Sequence, residues 1–177
     1  MRKILNLLFM LCVIGLFILS FSNQEIRSHS NGAPSLECDE CHSGAENEEV
    51  KILISGLPDN YIPNKRYEIK LKIESGLISE GEYQGGFGLT VSGGKVVVID
   101  RKNTQVSEGY LTHTVDGSRL REWKFGWIAP ASGEVEFSIM GVAANGDYSP
   151  SGDAIGVETV KIKPIEKRGK NKGGKVI

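Results

Sequence analysis

An unbroken two-residue alternation of apolar and charged side chains is the feature that most restricts how this chain can fold. It covers residues 67–74, where Tyr67, Ile69, Leu71 and Ile73 alternate with charged residues. Successive side chains of a β-strand point to opposite faces of the sheet. The pattern therefore predicts a strand with one buried face and one solvated face, and hence a sheet that is covered on one side.

The rest of the chain after Val50 is also typical of a β protein. Further strands are predicted at 87–91, 96–99, 123–127, 135–139 and 157–162. The Gly-containing turn at 92–95 predicts a hairpin between the first two of these, with the second strand buried on both faces. Pro130 and Gly133 mark another turn, and no convincing amphipathic helix is present. Short strands joined by Gly-rich turns favour an all-β, antiparallel sandwich.

Three aromatic side chains of the predicted strand 123–127 share one face. Because they have the same parity, we expect them to lie in the core of the sandwich. They are Trp123, Phe125 and Trp127.

The N-terminus has the features of an export signal. Arg2 and Lys3 precede a mostly apolar run at 4–21, and the small residues Ser20 and Ser22 fit cleavage after Ser22. The run is also long enough to remain as a membrane anchor. We therefore predict a signal peptide or anchor helix at 1–22, a connector at 23–49, a sandwich domain at 50–165 and a basic, flexible tail at 166–177.

Composition excludes several classes of function. The formal net charge of −1 becomes −3 once Arg2 and Lys3 are removed with the leader, so no overall basic character points to nucleic acid. Cys12 lies in the leader, which leaves Cys38 and Cys41 and no disulfide framework. No arrangement of a nucleophile and a general base is evident, so an enzyme is not predicted.

The strongest chemical motif is Cys38-Asp39-Glu40-Cys41-His42 in the connector. A Cys-x-x-Cys-His run is typical of covalent c-type haem attachment, in which both thiols join the porphyrin. His42 is then the proximal iron ligand. The upstream export signal agrees, because haem is attached in this way outside the cytoplasm. The sequence predicts one covalent haem c.

Three other chemistries remain open for the cysteine pair. A structural zinc site would need Cys38, Cys41 and two of His29, His42 and His113. A redox-active dithiol normally has a thioredoxin-like context, which this sequence lacks. A simple local disulfide is the third. The adjacent histidine, the export signal and the lack of a second cysteine pair favour haem.

The candidates for the sixth iron ligand are His113, Met140 and His29. Met140 has opposite parity to Val135, Phe137 and Ile139, and is expected to point away from the core. Two histidine ligands would favour a lower potential, and His/Met a higher one. An open sixth position would instead allow ligand sensing or peroxidase-like chemistry.

Several segments together resemble the reeler domain, specifically the prokaryotic reelin-like domains that follow a haem-type motif. The similar segments span about 31–160 in the family order. They are 31–34 with the following 38–44, then 85–89, 110–114, 123–130 and 143–153. The resemblance implies an immunoglobulin-like β-sandwich on an exported or surface-attached protein. It also singles out His113, which lies within the similar segment 110–114, as the distal ligand.

We therefore expect an exported, single-haem cytochrome that transfers electrons at the cell surface or in the periplasm. The alternative is a surface adhesion or ligand-binding module whose cysteines form a disulfide or a zinc site. Residues 37–49 contain six acidic residues and no Lys or Arg. This is either a solvated acidic loop or a rim that attracts a redox partner with a basic docking face. Head-to-tail self-association is a further conjecture.

A Gly-rich stretch near the C-terminal end of the sandwich has oxygen side chains at Asn145, Asp147 and Asp153. They could bind calcium, or they could serve as turn-forming residues.

Overall fold

The computed structural model of the chain describes residues 31–33, 35–36, 42–45 and 47–166. Cys38, Cys41, His29, the predicted leader and the basic residues beyond 166 lie outside these ranges, so the interpretations that concern them stay predictions. The described part contains no helix of sufficient length and apolarity to cross a membrane.

The described residues form eleven strands and one short 3₁₀ turn, Gly117–Arg119. The strands are β1 (Ser43–Gly44), β2 (Val50–Ser55), β3 (Asn60–Tyr61), β4 (Arg66–Ser75), β5 (Gly85–Val91), β6 (Lys95–Val97), β7 (Thr104–Ser107), β8 (Tyr110–His113), β9 (Glu122–Ile128), β10 (Val135–Ala143) and β11 (Ser151–Pro164).

Two sheets pack face to face. One has the order β1-β11-β10-β5-β8-β7, with β3 also paired to β11, and the other has the order β2-β4-β9-β6. Strands β1 and β3 pair with β11 in parallel, and the remaining pairs are antiparallel. The predicted all-β, antiparallel sandwich is confirmed.

The core lies between the sheets, as the alternation in β4 requires. Tyr67, Ile69, Leu71 and Ile73 face inward, and the charged residues between them face solvent. The three predicted core aromatics are all buried: Trp123, Phe125 and Trp127.

Trp127 is at the centre of an aromatic cluster that joins the two sheets. Its ring centroid lies 5.6 Å from that of Tyr61, 5.8 Å from that of Tyr67 and 5.1 Å from that of Phe137. Edge-to-face and offset contacts at these distances add to the stability gained from burial. Phe137 belongs to β10, so the cluster fixes β10 of one sheet against β4 and β9 of the other.

The predicted hairpin between 87–91 and 96–99 is wrong. Strand β5 belongs to the larger sheet, whereas β6 pairs with β9 in the smaller one. Ser92 still forms hydrogen bonds with Glu136 of β10, but the next carbonyl, Gly93 O, accepts the indole N–H of Trp127 at 3.0 Å. The chain thus crosses the edge of the sandwich at 92–95. The second strand of the predicted hairpin, β6, is also only half-buried and is not covered on both faces.

A hairpin that the sequence interpretation missed joins β7 and β8. The two residues between these strands are Glu108 and Gly109, with φ of 51° and 88°. Positive φ at both positions is typical of a two-residue hairpin turn, and a Gly between two short strand-like runs was the available signal. His113 therefore ends a strand and does not lie in a loop. Strands β10 and β11 also extend beyond their predicted limits.

Gly56 and Gly109 have similar backbone conformations but different surroundings. A comparison of Ala substitutions at the two positions therefore separates the cost of steric contact from the cost of backbone strain. Gly56 has φ of +83°, and a Cβ there would lie 2.2 Å from the Glu68 carbonyl oxygen. Gly109 has φ of +88° with open space around it. We expect Gly109→Ala to cost about 1 kcal/mol of unfolding free energy through strain alone. Gly56→Ala should cost at least about 2 kcal/mol more, because backbone atoms must move.

Urea unfolding followed by the fluorescence of Trp123 and Trp127 measures both values. Equal losses of unfolding free energy for Gly56→Ala and Gly109→Ala would contradict the close approach of Gly56 to the Glu68 carbonyl oxygen just after β2.

Candidate functional site

The last residue of the Cys-x-x-Cys-His motif is held against the sandwich. His42 directly precedes β1, which pairs in parallel with the start of β11. The His42 Nδ1 atom lies 2.6 Å from Asp153 Oδ2. The His42 side chain is 13% exposed and that of Asp153 only 2%. This hydrogen bond joins the connector to a strand 111 residues further along the chain.

Asp153 makes a second hydrogen bond that fixes its carboxylate. Its Oδ1 accepts the backbone N–H of Asn145 at 2.9 Å. Burial lowers the pKa of the Arg121 guanidinium below its usual value, and the negative charge of the nearby Asp153 offsets part of this effect. The guanidinium also donates to Gln84 O at 2.9 Å and Ala144 O at 3.1 Å. A nearby cation and two directed donors stabilise a buried carboxylate.

The bond to Asp153 decides which nitrogen of His42 remains available. An ionised carboxylate only accepts hydrogen bonds, so Nδ1 of a neutral His42 carries the proton and donates it. Nε2 then has its lone pair free. Histidines that bind metals commonly donate their other N–H to a carboxylate in this way, which orients the ring and makes the ligand more basic.

His113 lies in a different hydrogen-bonded setting, on β8. It is 5% exposed, and its Nδ1 accepts the backbone N–H of Phe87 at 3.1 Å. The same atom lies 3.3 Å from Phe87 O and from Thr112 Oγ1. The local polar atoms therefore accommodate either neutral tautomer. In the tautomer with the proton on Nδ1, that proton is donated to Phe87 O.

The ring of His113 fits where β5 lacks a side chain. A Cβ on Gly86 would lie 2.4 Å from His113 Cε1 and 2.9 Å from Nε2. Gly86 and Gly88 alternate with Phe87 and Leu89, which point into the core. The two glycines therefore belong to the outer face of the larger sheet, where they permit close approach of other groups.

Met140 lies on this same outer face. It pairs with Gly88 in the register of β10 and β5, and it is buried without being part of the core cluster. Its predicted direction, away from the core, is confirmed. The neighbouring outward residue Val142 pairs with Gly86 and is also buried.

Part of the connector crosses the outer face over Gly88. A Cβ on Gly88 would lie 3.0 Å from Leu36 Cδ2 and 3.2 Å from Ala33 Cβ. The backbone N–H of Ala33 donates to Thr112 Oγ1 at 2.8 Å, and Thr112 in turn donates to Phe87 O at 2.6 Å. The part of the connector that contains Ala33 is thus attached to β8 next to His113.

The structure places His42 and His113 towards one outer face, but on different strands. Asp153, which holds His42, is on β11, and β10 and β5 lie between that strand and β8. Three strand spacings separate β11 from β8, or about 14 Å. The face between them carries the small and apolar residues Gly86, Gly88, Met140 and Val142.

The residues considered for calcium form turns. Asn145 Oδ1 accepts the N–H of Asp147 at 3.0 Å, and Asp147 Oδ1 accepts that of Ser149 at 2.8 Å. Both oxygens of Asp153 are used as described above. Within 31–33, 35–36, 42–45 and 47–166, no group of three or more His, Cys, Asp or Glu residues is placed to hold a metal ion. Cys38, Cys41 and His29 lie outside those ranges.

Sequence reasoning missed three residues of this site. Asp153 was considered only as a calcium ligand or a turn-forming residue, and nothing local links it to His42. Gly86 and Gly88 carried a usable signal, because glycines at alternate positions of an apolar strand mark a face that something approaches closely.

Comparisons with known proteins gave matches among solved structures only. The sequence matches no model of a protein family, and it matches none of the curated proteins. The human F-spondin reeler domain (fragment 2) is similar at 22% identity and a TM-score of 0.47, over 66% of this chain and 92% of that one. The reelin-N domain of F-spondin has 18% identity and a TM-score of 0.47, over 78% and 100%. A Clostridium perfringens cohesin module has 13% identity and a TM-score of 0.40, over 66% and 96%.

Removal of the Asp153 carboxylate should destabilise the sandwich. Asp153→Ala leaves the Asn145 N–H and His42 Nδ1 without their acceptor in a buried place, and we expect a loss of about 2–4 kcal/mol in unfolding free energy. Asp147→Ala is the matched control from the same loop. Its exposed turn bond should be worth under about 1 kcal/mol.

Urea unfolding of the two variants distinguishes the roles of these aspartates. A loss for Asp153→Ala no larger than that for Asp147→Ala would show that the His42–Asp153 bond does not stabilise the fold.

Proposed function

We propose that this chain is an exported c-type cytochrome in which a reeler-like β-sandwich carries one haem, and that its role is electron transfer. The observation that carries the proposal is the 2.6 Å bond between His42 Nδ1 and Asp153 Oδ2. A histidine that follows a Cys-x-x-Cys pair must present Nε2 to iron if it is a haem ligand. The bond to a buried carboxylate favours this tautomer.

The described residues fit a haem group in two respects. The first is the donor set, because His42 has an oriented imidazole and His113 is a second buried imidazole towards the same outer face. The second is the shape of that face, where Gly86 and Gly88 lack side chains and so let the His113 ring and the connector residues Ala33 and Leu36 lie close to β5. Gly86 in particular leaves the space that the His113 ring uses.

Each residue has a distinct role in this proposal. Cys38 and Cys41 would hold the haem covalently, and His42 and His113 would supply nitrogen ligands to its iron, with Met140 as the alternative to His113. Asp153 orients His42 and increases its basicity, which stabilises the oxidised iron relative to the reduced iron. When bound, the haem supplies an iron that gains and loses one electron. The sandwich keeps the ligands rigid, so little reorganisation accompanies that change.

The proposal also covers location and partners. The apolar N-terminal run at 1–22 exports the chain and is either cleaved after Ser22 or retained as an anchor. The protein therefore works in the periplasm or at the cell surface. Its partners are other redox proteins and not nucleic acid, and the haem is used for electron transfer and not for catalysis.

Haem attachment can be tested directly. Expression of the full chain with a c-type haem maturation system should give a protein whose mass is increased by one haem and whose reduced spectrum has the α and β bands of haem c. Replacement of both Cys38 and Cys41 by Ala should abolish the increase in mass and the bands. Cys12→Ala is the matched control, and it should leave both unchanged.

The alternative chemistries give different results in the same experiment. A mass without haem, together with one bound zinc or with the loss of two hydrogen atoms to a disulfide, would overturn the cytochrome proposal. Either result would indicate an adhesion or ligand-binding module.

The sixth ligand can be tested on the haem-loaded protein. We expect His113→Ala to convert the low-spin spectrum to a high-spin one and to allow the reduced protein to bind carbon monoxide, because the iron loses a strong-field nitrogen. Met140→Leu and His29→Ala are matched controls that should keep the low-spin spectrum. A low-spin His113→Ala protein would exclude His113, and loss of the low-spin form in Met140→Leu would assign Met140 instead.

A further inference from the structure

An exposed apolar patch lies beside the candidate site. We define it by Tyr83 and Tyr148, whose rings are in contact, and by Ile78, which is on the same loop as Tyr83 and precedes Ser79, a residue that lies close to Gly146. Ile78 is 80% exposed and Tyr148 is 63% exposed. The rings of Tyr83 and Tyr148 meet edge to face, with centroids 5.3 Å apart. Large apolar side chains grouped on a surface commonly mark a site of interaction with another protein.

The patch is built on two loops that hold each other in place. These are residues 76–84 and 144–150. The N–H of Glu80 donates to Asn145 O at 2.8 Å, and Arg121 donates to both Gln84 O and Ala144 O. Gly81 and Gly146 are so close that a Cβ on Gly81 would lie 2.0 Å from Gly146 O. The exposed side chains are therefore presented by an ordered scaffold, which lowers the entropic cost of binding a partner.

The surroundings of the patch carry negative charge. The two loops contain the exposed acidic residues Glu80, Glu82 and Asp147, and neither loop contains Lys or Arg. Arg119 approaches from outside the loops and forms an ion pair with Glu82 at 2.8 Å. The result is an apolar centre with a mostly acidic rim, which favours a partner with the opposite charge around an apolar centre.

The patch is connected to the candidate iron ligand by two hydrogen bonds. Asn145, three residues before Tyr148, donates its N–H to Asp153 Oδ1 at 2.9 Å. The other oxygen of Asp153 bonds to His42 Nδ1 at 2.6 Å. A protein that binds at the patch would thus sit next to the residues that hold His42. Electron transfer benefits from such proximity, and it needs only a small and transient interface.

We propose that this patch is the docking surface for a basic, one-electron carrier protein. The inference rests on the proposed function, for which it names the partner. The acidic rim steers a basic protein towards the patch, and Ile78 and Tyr148 supply the short-range contact. A symmetric pair of this chain would bring two acidic rims together, which disfavours a second copy as the occupant.

The experiment uses the haem-loaded full chain with cytochrome c as a basic, one-electron probe. Stopped-flow absorbance gives the bimolecular rate of electron transfer from the reduced chain at low and at high salt. The wild-type rate should fall steeply with salt, because the attraction is screened. Glu80→Lys should lower the low-salt rate by about tenfold and flatten the salt dependence. Ile78→Ser should lower the rate by roughly threefold at every salt concentration through lost apolar contact.

Matched controls come from the opposite end of the sandwich. Ile165 follows the last residue of β11, and Glu134 precedes Val135, which pairs with Ile162. Asp153 is at the other end of this strand, which has fourteen residues. Ile165→Ser and Glu134→Lys make the same chemical changes as the two test variants, and they should keep the rate within about twofold of wild type, because local contacts and screened charges act at short range.

The outcomes separate this inference from the proposed function. Equal effects of the test and control variants, with a normal haem spectrum, would overturn the docking surface and leave the cytochrome intact. Absence of haem from the wild-type chain would overturn the function itself. Concentration-dependent self-association that Ile78→Ser abolishes would make a second copy the occupant and overturn the basic partner. If Ile78→Ser does not unfold cooperatively, Glu80→Lys against Glu134→Lys decides alone.

Discussion

Burial of apolar side chains between two sheets is the constraint on which the rest of this structure depends. Trp127 contacts Tyr61, Tyr67 and Phe137, and these contacts span both sheets. Removal of such large side chains from water is the main favourable term in folding. It also fixes the registers of β10 and β11, whose inward residues Phe137 and Ile162 belong to the same core. Once these registers are set, the outward residues of both strands have defined positions.

The candidate site is a consequence of those registers. Ala154 points into the core, so the side chain of its neighbour Asp153 points to the opposite face of β11. Strand β1 pairs with this end of β11 and brings His42 to Asp153. A buried carboxylate is costly unless donors and a cation surround it. Here Asn145 N–H, His42 and the nearby Arg121 supply them. Arg121 also joins the loops that carry the apolar patch, so one network supports both His42 and the proposed docking surface.

The outer face of the larger sheet departs from what stability alone would favour. Glycine within a strand loses more conformational entropy than other residues and offers no side chain to pack. Gly86 and Gly88 nevertheless occupy a central strand, and His113 and the connector residues Ala33 and Leu36 lie where their side chains would be. Local choices that weaken a strand are expected at functional places.

The sequence by itself determined the faces of the strands, because side-chain direction alternates with every residue. The inward aromatics Trp123, Phe125 and Trp127, and the outward Met140, followed from parity alone. The Cys-x-x-Cys-His motif and the predicted export signal are also local patterns, so both predictions need no tertiary structure. Strand partners were not determined, because backbone hydrogen-bonding edges are alike in all strands. Only tertiary packing decided that β6 joins β9, that Asp153 meets His42 across 111 residues, and that His113 lies against Gly86.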